Sequence, residues 1–197
     1  MPLNEIEIPS GDPLYTSKVS ITLPTVRQHR RLYNYMVHYW RNNSRSLDFP
    51  PSVNDILTFV PQLCFVPCFF LAYTCCRVNE LKQLRLSDIK NRRPFKIKAS
   101  KSKRVRYIKS LNVFKPKTLH SIDPDTLLYV VSYDHLKNAI RSAKKRASIE
   151  VNMDRHDLTH IFRHLITMYK HKKGVEDSVL SDMLGHLSPQ SLRSYIH

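Results

Sequence analysis

The sequence predicts a mixed, mainly α domain carrying a small antiparallel β-sheet or hairpin, and three observations lead there. Apolar residues recur at helical spacing through most of the chain, as in Val26, Tyr33, Val37 and Trp40. Residues 95–99 and 105–108 instead alternate apolar and basic side chains, the period-two sign of strands, with a short polar stretch between them. Hydrophobic residues make up 42% and charged residues 24% of the chain, an ordinary globular balance that excludes a disordered polymer and a disulfide-stapled miniprotein. A chain of 197 residues is long enough to bury a proper core as one domain, or as one domain with a substantial arm.

Residues 1–24, with Pro2, Pro9, Pro13 and Pro24 among polar neighbours, read as an extended arm that does not pack. From Thr25 a helix follows, with one buried face and one face rich in Arg and His, and Pro50 and Pro51 close it. This places an arm and basic helix in residues 1–50 and a second unit in 51–197. Residues 52–86 read as helical, with Pro61 and Pro67 limiting the segments. After the hairpin, residues 134–147 form a helix with Leu136, Ile140, Ala143 and Ala147 on one side. Another runs over 157–171 and ends before Gly174, and a third over 175–184 ends at Gly185. Ser188 and Pro189 then supply an N-cap and a first-turn proline for a last helix reaching Tyr195.

Composition also bounds the setting. The longest apolar stretch, residues 60–73, contains Pro61, Gln62 and Pro67 and falls short of the roughly 20 residues a bilayer span needs. The N-terminus does not read as a signal peptide. The expected setting is cytoplasmic or nucleoid-associated, with no membrane partner. Cys64, Cys68, Cys75 and Cys76 lie in or beside the apolar stretch and read as buried reduced thiols, and no second CxxC pair offers a tetrahedral metal site.

Charge is the unusual quantity. The net charge is +16 and the isoelectric point near 9.9, so a polyanionic partner is expected. Between Asp88 and Asp123 there is no acid, while twelve Lys and Arg residues crowd the hairpin region. Such a hairpin repels itself unless it is solvated or faces an anion, and nucleic-acid phosphate, which releases condensed counterions at each contact, is the fitting one. Lys96, Lys98, Lys103, Arg104 and Arg106 are the candidate DNA contacts.

His160 and Arg163 are three apart on a predicted helix and project from one face. An HxxR pair alone is weak, but His186 follows Gly185 at a helix end and Tyr195 lies nine residues on. Arg77 sits upstream in TCCRVNELKQLRLSDI. Together these residues resemble the tyrosine recombinases of the phage-integrase family. The family's T-G-x-R-x-x-E-x-x-x-L-x-x-x-D pattern is matched in register by Thr74, Arg77, Glu80, Leu84 and Asp88, its H-x-x-R box by His160 and Arg163, and its L-G-H box by Leu184, Gly185 and His186. Its nucleophile falls on Tyr195. Within SKSKRVRYI, Lys101 best matches the catalytic lysine of a strand-turn-strand element, with Lys103 second.

The resemblance covers roughly residues 52–197 and implies a helical recombinase catalytic domain that needs no metal or cofactor, acts on double-stranded DNA and self-associates on it. Cys75 stands where the family usually has glycine. Only 76 residues precede Arg77 and two follow Tyr195, leaving little room for a separate clamping domain or for the tail many relatives dock onto a neighbouring subunit. A register shifted to His156 and Thr159 loses the arginine and the spacing to His186.

The residue types suit the chemistry the resemblance implies. Attack on a phosphodiester builds negative charge on the non-bridging oxygens, which two guanidiniums, Arg77 and Arg163, can hold in fixed geometry with a hydrogen bond from His186. The Tyr195 phenol needs proton removal to act as nucleophile, with His160 as acceptor or orienting group. Lys101 can protonate the departing 5′ oxygen. A non-catalytic DNA-binding module on the same scaffold shares the charge and fold but has no use for the nucleophile, whereas a type IB topoisomerase shares the mechanism. A metal-dependent relaxase needs histidines on strands, not on a helix.

Overall fold

The computed structural model of the chain describes residues 5–6, 19–20, 23–90, 94–98, 105–108, 122–151, 153, 157–186, 189–192 and 195. Where the sequence predicts an unpacked arm, β1 (Glu5–Ile6) and β2 (Val19–Ser20) pair antiparallel, and α1 begins earlier than expected, over Leu23–Asn43. The buried stripe of α1 is His29, Leu32, Met36 and Trp40, with Tyr33 and Val37 at its margin, while Arg27, Arg30, Arg31, His38 and Arg41 face outward. The stripe is therefore turned by about one residue from the expected one.

Helices α2 (Pro51–Phe59) and α3 (Gln62–Thr74) follow. Pro51 occupies the first turn of α2, where its missing N–H is an orphan in any case. Pro61 caps α3 as expected, but Pro67 lies inside α3, which runs through it. Nearly every side chain of α3 is buried, including Phe65, Phe69 and Phe70, so α3 is the central helix. Burying each such aromatic stabilises by roughly 1.5–3 kcal/mol, enough to offset the roughly 3 kcal/mol that an interior proline costs. Helix α1 packs on α3 through Tyr33 and Trp40, each 5.6 Å from Phe65 between ring centroids, and Trp40 Nε1 donates to Asn54 Oδ1 of α2 at 2.9 Å.

Short helices α4 (Val78–Leu81) and α5 (Leu86–Lys90) lead to the two-stranded antiparallel sheet of β3 (Phe95–Lys98) and β4 (Val105–Ile108). The two predicted strands pair, and the connection between them, residues 99–104, lies outside the described residues. Helix α6 (Tyr133–Arg146) is capped by Ser132 Oγ, which accepts from the His135 amide at 3.1 Å, and it packs on α2. The helix predicted over 157–171 is divided: Asp157 caps a 3₁₀ turn (Leu158–His160) through the Thr159 amide at 2.9 Å, and α7 (Ile161–Lys172) follows. Helix α8 (Asp177–Leu184) ends at Gly185 as predicted, in the left-handed region with φ 68°. A 3₁₀ turn (Pro189–Leu192) replaces the start of the predicted last helix, and Ser188 lies outside the described residues. Helix α7 packs between α3 and α8. None of the helices among the described residues is long and apolar enough to cross a membrane.

Candidate active site

Arg163 sits in the first turn of α7 and is only 1% exposed. Its Nη1 donates to the Cys75 carbonyl at 2.8 Å and its Nη2 to the Leu184 carbonyl at 2.7 Å. These oxygens belong to the C-terminal ends of α3 and α8, whose unsatisfied carbonyls carry partial negative charge. Two helix ends thus take the place of a carboxylate, and no Asp or Glu forms an ion pair with Arg163 among the described residues. Burial, foremost, lowers the pKa of this guanidinium, with Tyr195 opposing the shift and the charges of Arg77 and Arg106 adding to it.

The geometry at Cys75 explains the family glycine. Cys75 adopts φ 51° and ψ 27°, a left-handed conformation that glycine enters freely and other residues reach at roughly 1–2 kcal/mol. The backbone turn is therefore kept despite the substitution. All four cysteines are free and buried, and burial raises every thiol, Cys64 and Cys76 to about 12.

His186 is placed by the cap of α8. Its amide returns to the Ser181 carbonyl at 2.9 Å around Gly185, and its Nε2 lies 2.8 Å from Arg163 Nη2. A guanidinium only donates, so Nε2 accepts and the ring proton resides on Nδ1. Burial, together with the charges of Arg163, Arg77 and Arg106, lowers the His186 pKa to about 4, and the ring is neutral near pH 7.

Tyr195 closes the cluster. Its phenol oxygen accepts from Arg163 Nε at 3.2 Å, and the residue is 6% exposed. Its ring lies 5.8 Å from that of His186 and 5.9 Å from that of His164. His164 is a buried neighbour that reading H-x-x-R alone does not single out. The available signal was its spacing of four from His160, which places both on one helical face. His160 itself ends the 3₁₀ turn one helical turn before Arg163 and is half-buried.

Arg77 starts α4. Its amide donates to Glu80 Oε2 at 3.0 Å and its Nη1 to Glu80 Oε1 at 3.3 Å, so the buried Glu80 carboxylate braces the segment. The Arg77 side chain remains 24% exposed, with donors free to meet a ligand. Arg163, His186 and Tyr195 are thus brought into contact, and Arg77 is near enough for its charge to act on Arg163 and His186, whereas Lys101, Lys103 and Arg104 lie outside the described residues.

The remaining candidate DNA contacts divide. Lys96 and Lys98 point outward, and Lys96 Nζ lies 5.7 Å from the centroid of the Tyr107 ring. Arg106 is 7% exposed and turned inward. Its Nη2 pairs with Glu80 Oε2 at 3.1 Å, and its Nη1 donates to the carbonyls of Thr74, at 3.1 Å, and Met183. Antiparallel partners share a face, and Arg106 stands opposite the buried Ile97. A pocket of about 630 Å³ opens beside this strand, lined by Tyr73, Cys75, Arg106, Lys170 and Val179 among others, but Arg163, His186 and Tyr195 do not line it.

The chain belongs to the phage integrase family: the sequence model of that family matches residues 60–197, more than half of the chain. At the family level it is an integrase-type tyrosine recombinase, a class of DNA-binding and DNA-recombining proteins. Its fold resembles the catalytic domain of bacteriophage HP1 integrase, with 20% identity over 75% of this chain and 84% of that one and a TM-score of 0.55. It also resembles XerA recombinase, with 21% identity over 87% of this chain and 58% of that one and a TM-score of 0.51. A lambda integrase (75–356) dimer bound to a COC′ core site gives 18% identity over 74% of this chain and 56% of that one, with a TM-score of 0.53. The chain therefore spans little more than half of the last two. At these identities the likeness is one of fold. Comparison with curated protein sequences finds no match.

Proposed function

We propose that the protein is a site-specific recombinase that cuts and rejoins double-stranded DNA through a 3′-phosphotyrosine intermediate. The observation that carries this reading is the Arg163 guanidinium, which holds the Tyr195 phenol oxygen on one edge and the His186 imidazole on another. A nucleophile beside a buried arginine is what phosphoryl transfer requires, since the same cation can stabilise the charge that develops on phosphorus-bound oxygen.

In this reading the Tyr195 oxygen attacks phosphorus and forms a new P–O bond while the bond to the 5′ oxygen breaks. The phenol proton passes to His160, and the departing oxygen takes a proton from Lys101, or from Lys103. Return of a 5′ hydroxyl to the phosphotyrosine reverses these transfers and rejoins the strand. Arg77 and Arg163 hold the non-bridging oxygens, joined by His186. Lys96 and Lys98 meet flanking phosphates together with Lys103 and Arg104. Residues 51–197 act as the catalytic domain, preceded by the arm and basic helix of 1–50. Neither metal nor cofactor takes part, and copies associate on the DNA in the cytoplasm or on the nucleoid.

A nicked duplex that loses its 5′ fragment on cleavage traps the covalent complex. The wild type is expected to accumulate a denaturation-resistant adduct, and Tyr195→Phe to bind the duplex without forming one. Adduct at wild-type levels in Tyr195→Phe would remove Tyr195 from the mechanism. Binding without adduct in the wild type would instead favour a non-catalytic DNA-binding module.

A further inference from the structure

Outside the proposed reaction, the Arg106 guanidinium donates to three acceptors. Its three acceptors come from two separate parts of the chain: Glu80 Oε2 and the Thr74 carbonyl flank Arg77, and the Met183 carbonyl precedes His186. Each lies three residues from a proposed site residue, Thr74 and Glu80 on either side of Arg77 and Met183 before His186. Arg106 itself is in β4, three residues after Lys103 and five after Lys101.

We infer that Arg106 is a positioning residue that locks the lysine-bearing hairpin to the Arg77 segment and to the His186 turn. The inference rests on the proposed strand-transfer chemistry and adds a residue that touches none of the reacting atoms. The guanidinium suits the role because its planar fork reaches three acceptors in fixed directions, which an ammonium on a flexible stem does not reproduce. Its pairing with Glu80 is also the link to Arg77, since the same carboxylate braces both arginines, through Oε1 to Arg77 Nη1 and through Oε2 to Arg106 Nη2.

Gly185 fits the same arrangement. A Cβ built there would stand 3.4 Å from Arg106 Cδ, at the near edge of ordinary van der Waals contact, so it is the φ of +68° that favours glycine. The aliphatic arm of Arg106 thus packs at the place where the chain turns to present His186.

Arg106→Lys and Arg106→Met test the inference. The lysine variant keeps a cation against Glu80 but lacks the fork, and a cooperative thermal unfolding transition checks that each variant is folded. Single-turnover cleavage at saturating nicked duplex is expected to fall on the order of a hundredfold in both variants, the scale of misplacing reacting groups by about 1 Å. The salt dependence of DNA binding is expected to match the wild type. On a duplex whose 5′-bridging oxygen is sulfur, a leaving group that needs no proton, the deficit is expected to narrow at least tenfold. Equal loss on the oxygen and sulfur substrates would make Arg106 merely structural and overturn the inference. A log-log salt slope lowered by about one at an unchanged saturating rate would overturn it in favour of a phosphate contact. Failure of the underlying chemistry reads out separately, as the absence of a Tyr195-dependent adduct in the wild type.

Discussion

Arg163 and Tyr195 are joined by a direct hydrogen bond, the Arg163 Nε–H donating to the phenol oxygen at 3.2 Å between two buried side chains. Three of the four other N–H donors of this guanidinium are committed as well, to two helix-end carbonyls and a neutral imidazole. The arginine is fixed before any ligand arrives, and preorganised charge of this kind does not have to reorient as the reaction proceeds. Arg77, by contrast, keeps part of its fork toward solvent. The two arginines are therefore divided in their setting, one built into the core and one presented from it.

That division predicts different losses. Arg163→Ala orphans the Cys75 and Leu184 carbonyls, at roughly 1–3 kcal/mol each, and should lower the thermal midpoint by about 5 °C or more in addition to abolishing cleavage. Arg77→Ala leaves Glu80 paired with Arg106 and should slow cleavage on the order of a hundredfold with a much smaller change in midpoint. Equal drops in midpoint for the two variants would show that Arg77 is as structural as Arg163.

A second prediction concerns acid. His186 and His29 are both buried, and burial is the main cause holding each at about 4 against an ordinary 6.5. The unfolded chain takes up protons on these rings below pH 6.5, while the folded chain takes them up only near pH 4. Stability contributed by the neutral rings is therefore complete above pH 6.5 and lost as pH falls toward 4. Asp48, held low by hydrogen bonds from Lys170 and Lys173, acts at lower pH. Thermal midpoints should decline between pH 6.5 and 4, and His186→Gln, whose amide oxygen can accept from Arg163, should remove a substantial part of that decline. An unchanged decline in the variant would mean that His186 is not among the groups being titrated.

How far the site was legible in the sequence depends on which contacts were local. Arg77 with Glu80, and His186 after Gly185, are set by spacings of three residues or fewer and read directly, as does the register of β3 from its alternating Phe95 and Ile97. The division of 157–171 into a 3₁₀ turn and a helix was hidden because Asp157 caps either one equally well. Pro67 misled because propensity rules describe exposed helices, and α3 is buried on every side.

Arg106 shows the deeper limit. Alternation in residues 105–108 puts two apolar residues on one face and Arg106 and Ile108 on the other, and polarity alone sends Arg106 outward. The register does the reverse, leaving Val105 and Tyr107 exposed, the latter at 64%. An inward arginine is affordable because Glu80 and two carbonyls wait for it, and those partners lie 26, 32 and 77 residues away in sequence. No local pattern carries that information.

The same register sets which side chains of the sheet face outward, and it yields the last prediction. Lys96 and Lys98 alternate outward from β3, and Tyr107, paired with Lys96 across the sheet, places its ring 5.7 Å from the Lys96 ammonium. Such a cation–π contact contributes about 0.5–1 kcal/mol at an exposed site, so it steadies Lys96 without neutralising its charge. Lys96→Ala and Lys98→Ala should each lower the log-log salt slope of DNA binding by about 0.9, one counterion-releasing contact apiece. Tyr107→Leu should weaken binding slightly at every salt concentration and leave the slope alone, since it removes the support and not the charge. Titrations from 50 to 200 mM salt resolve these outcomes. A double Lys96→Ala, Lys98→Ala variant with the wild-type slope would place the DNA on another face, and the exposed arginines of α1 would then be the surface to examine.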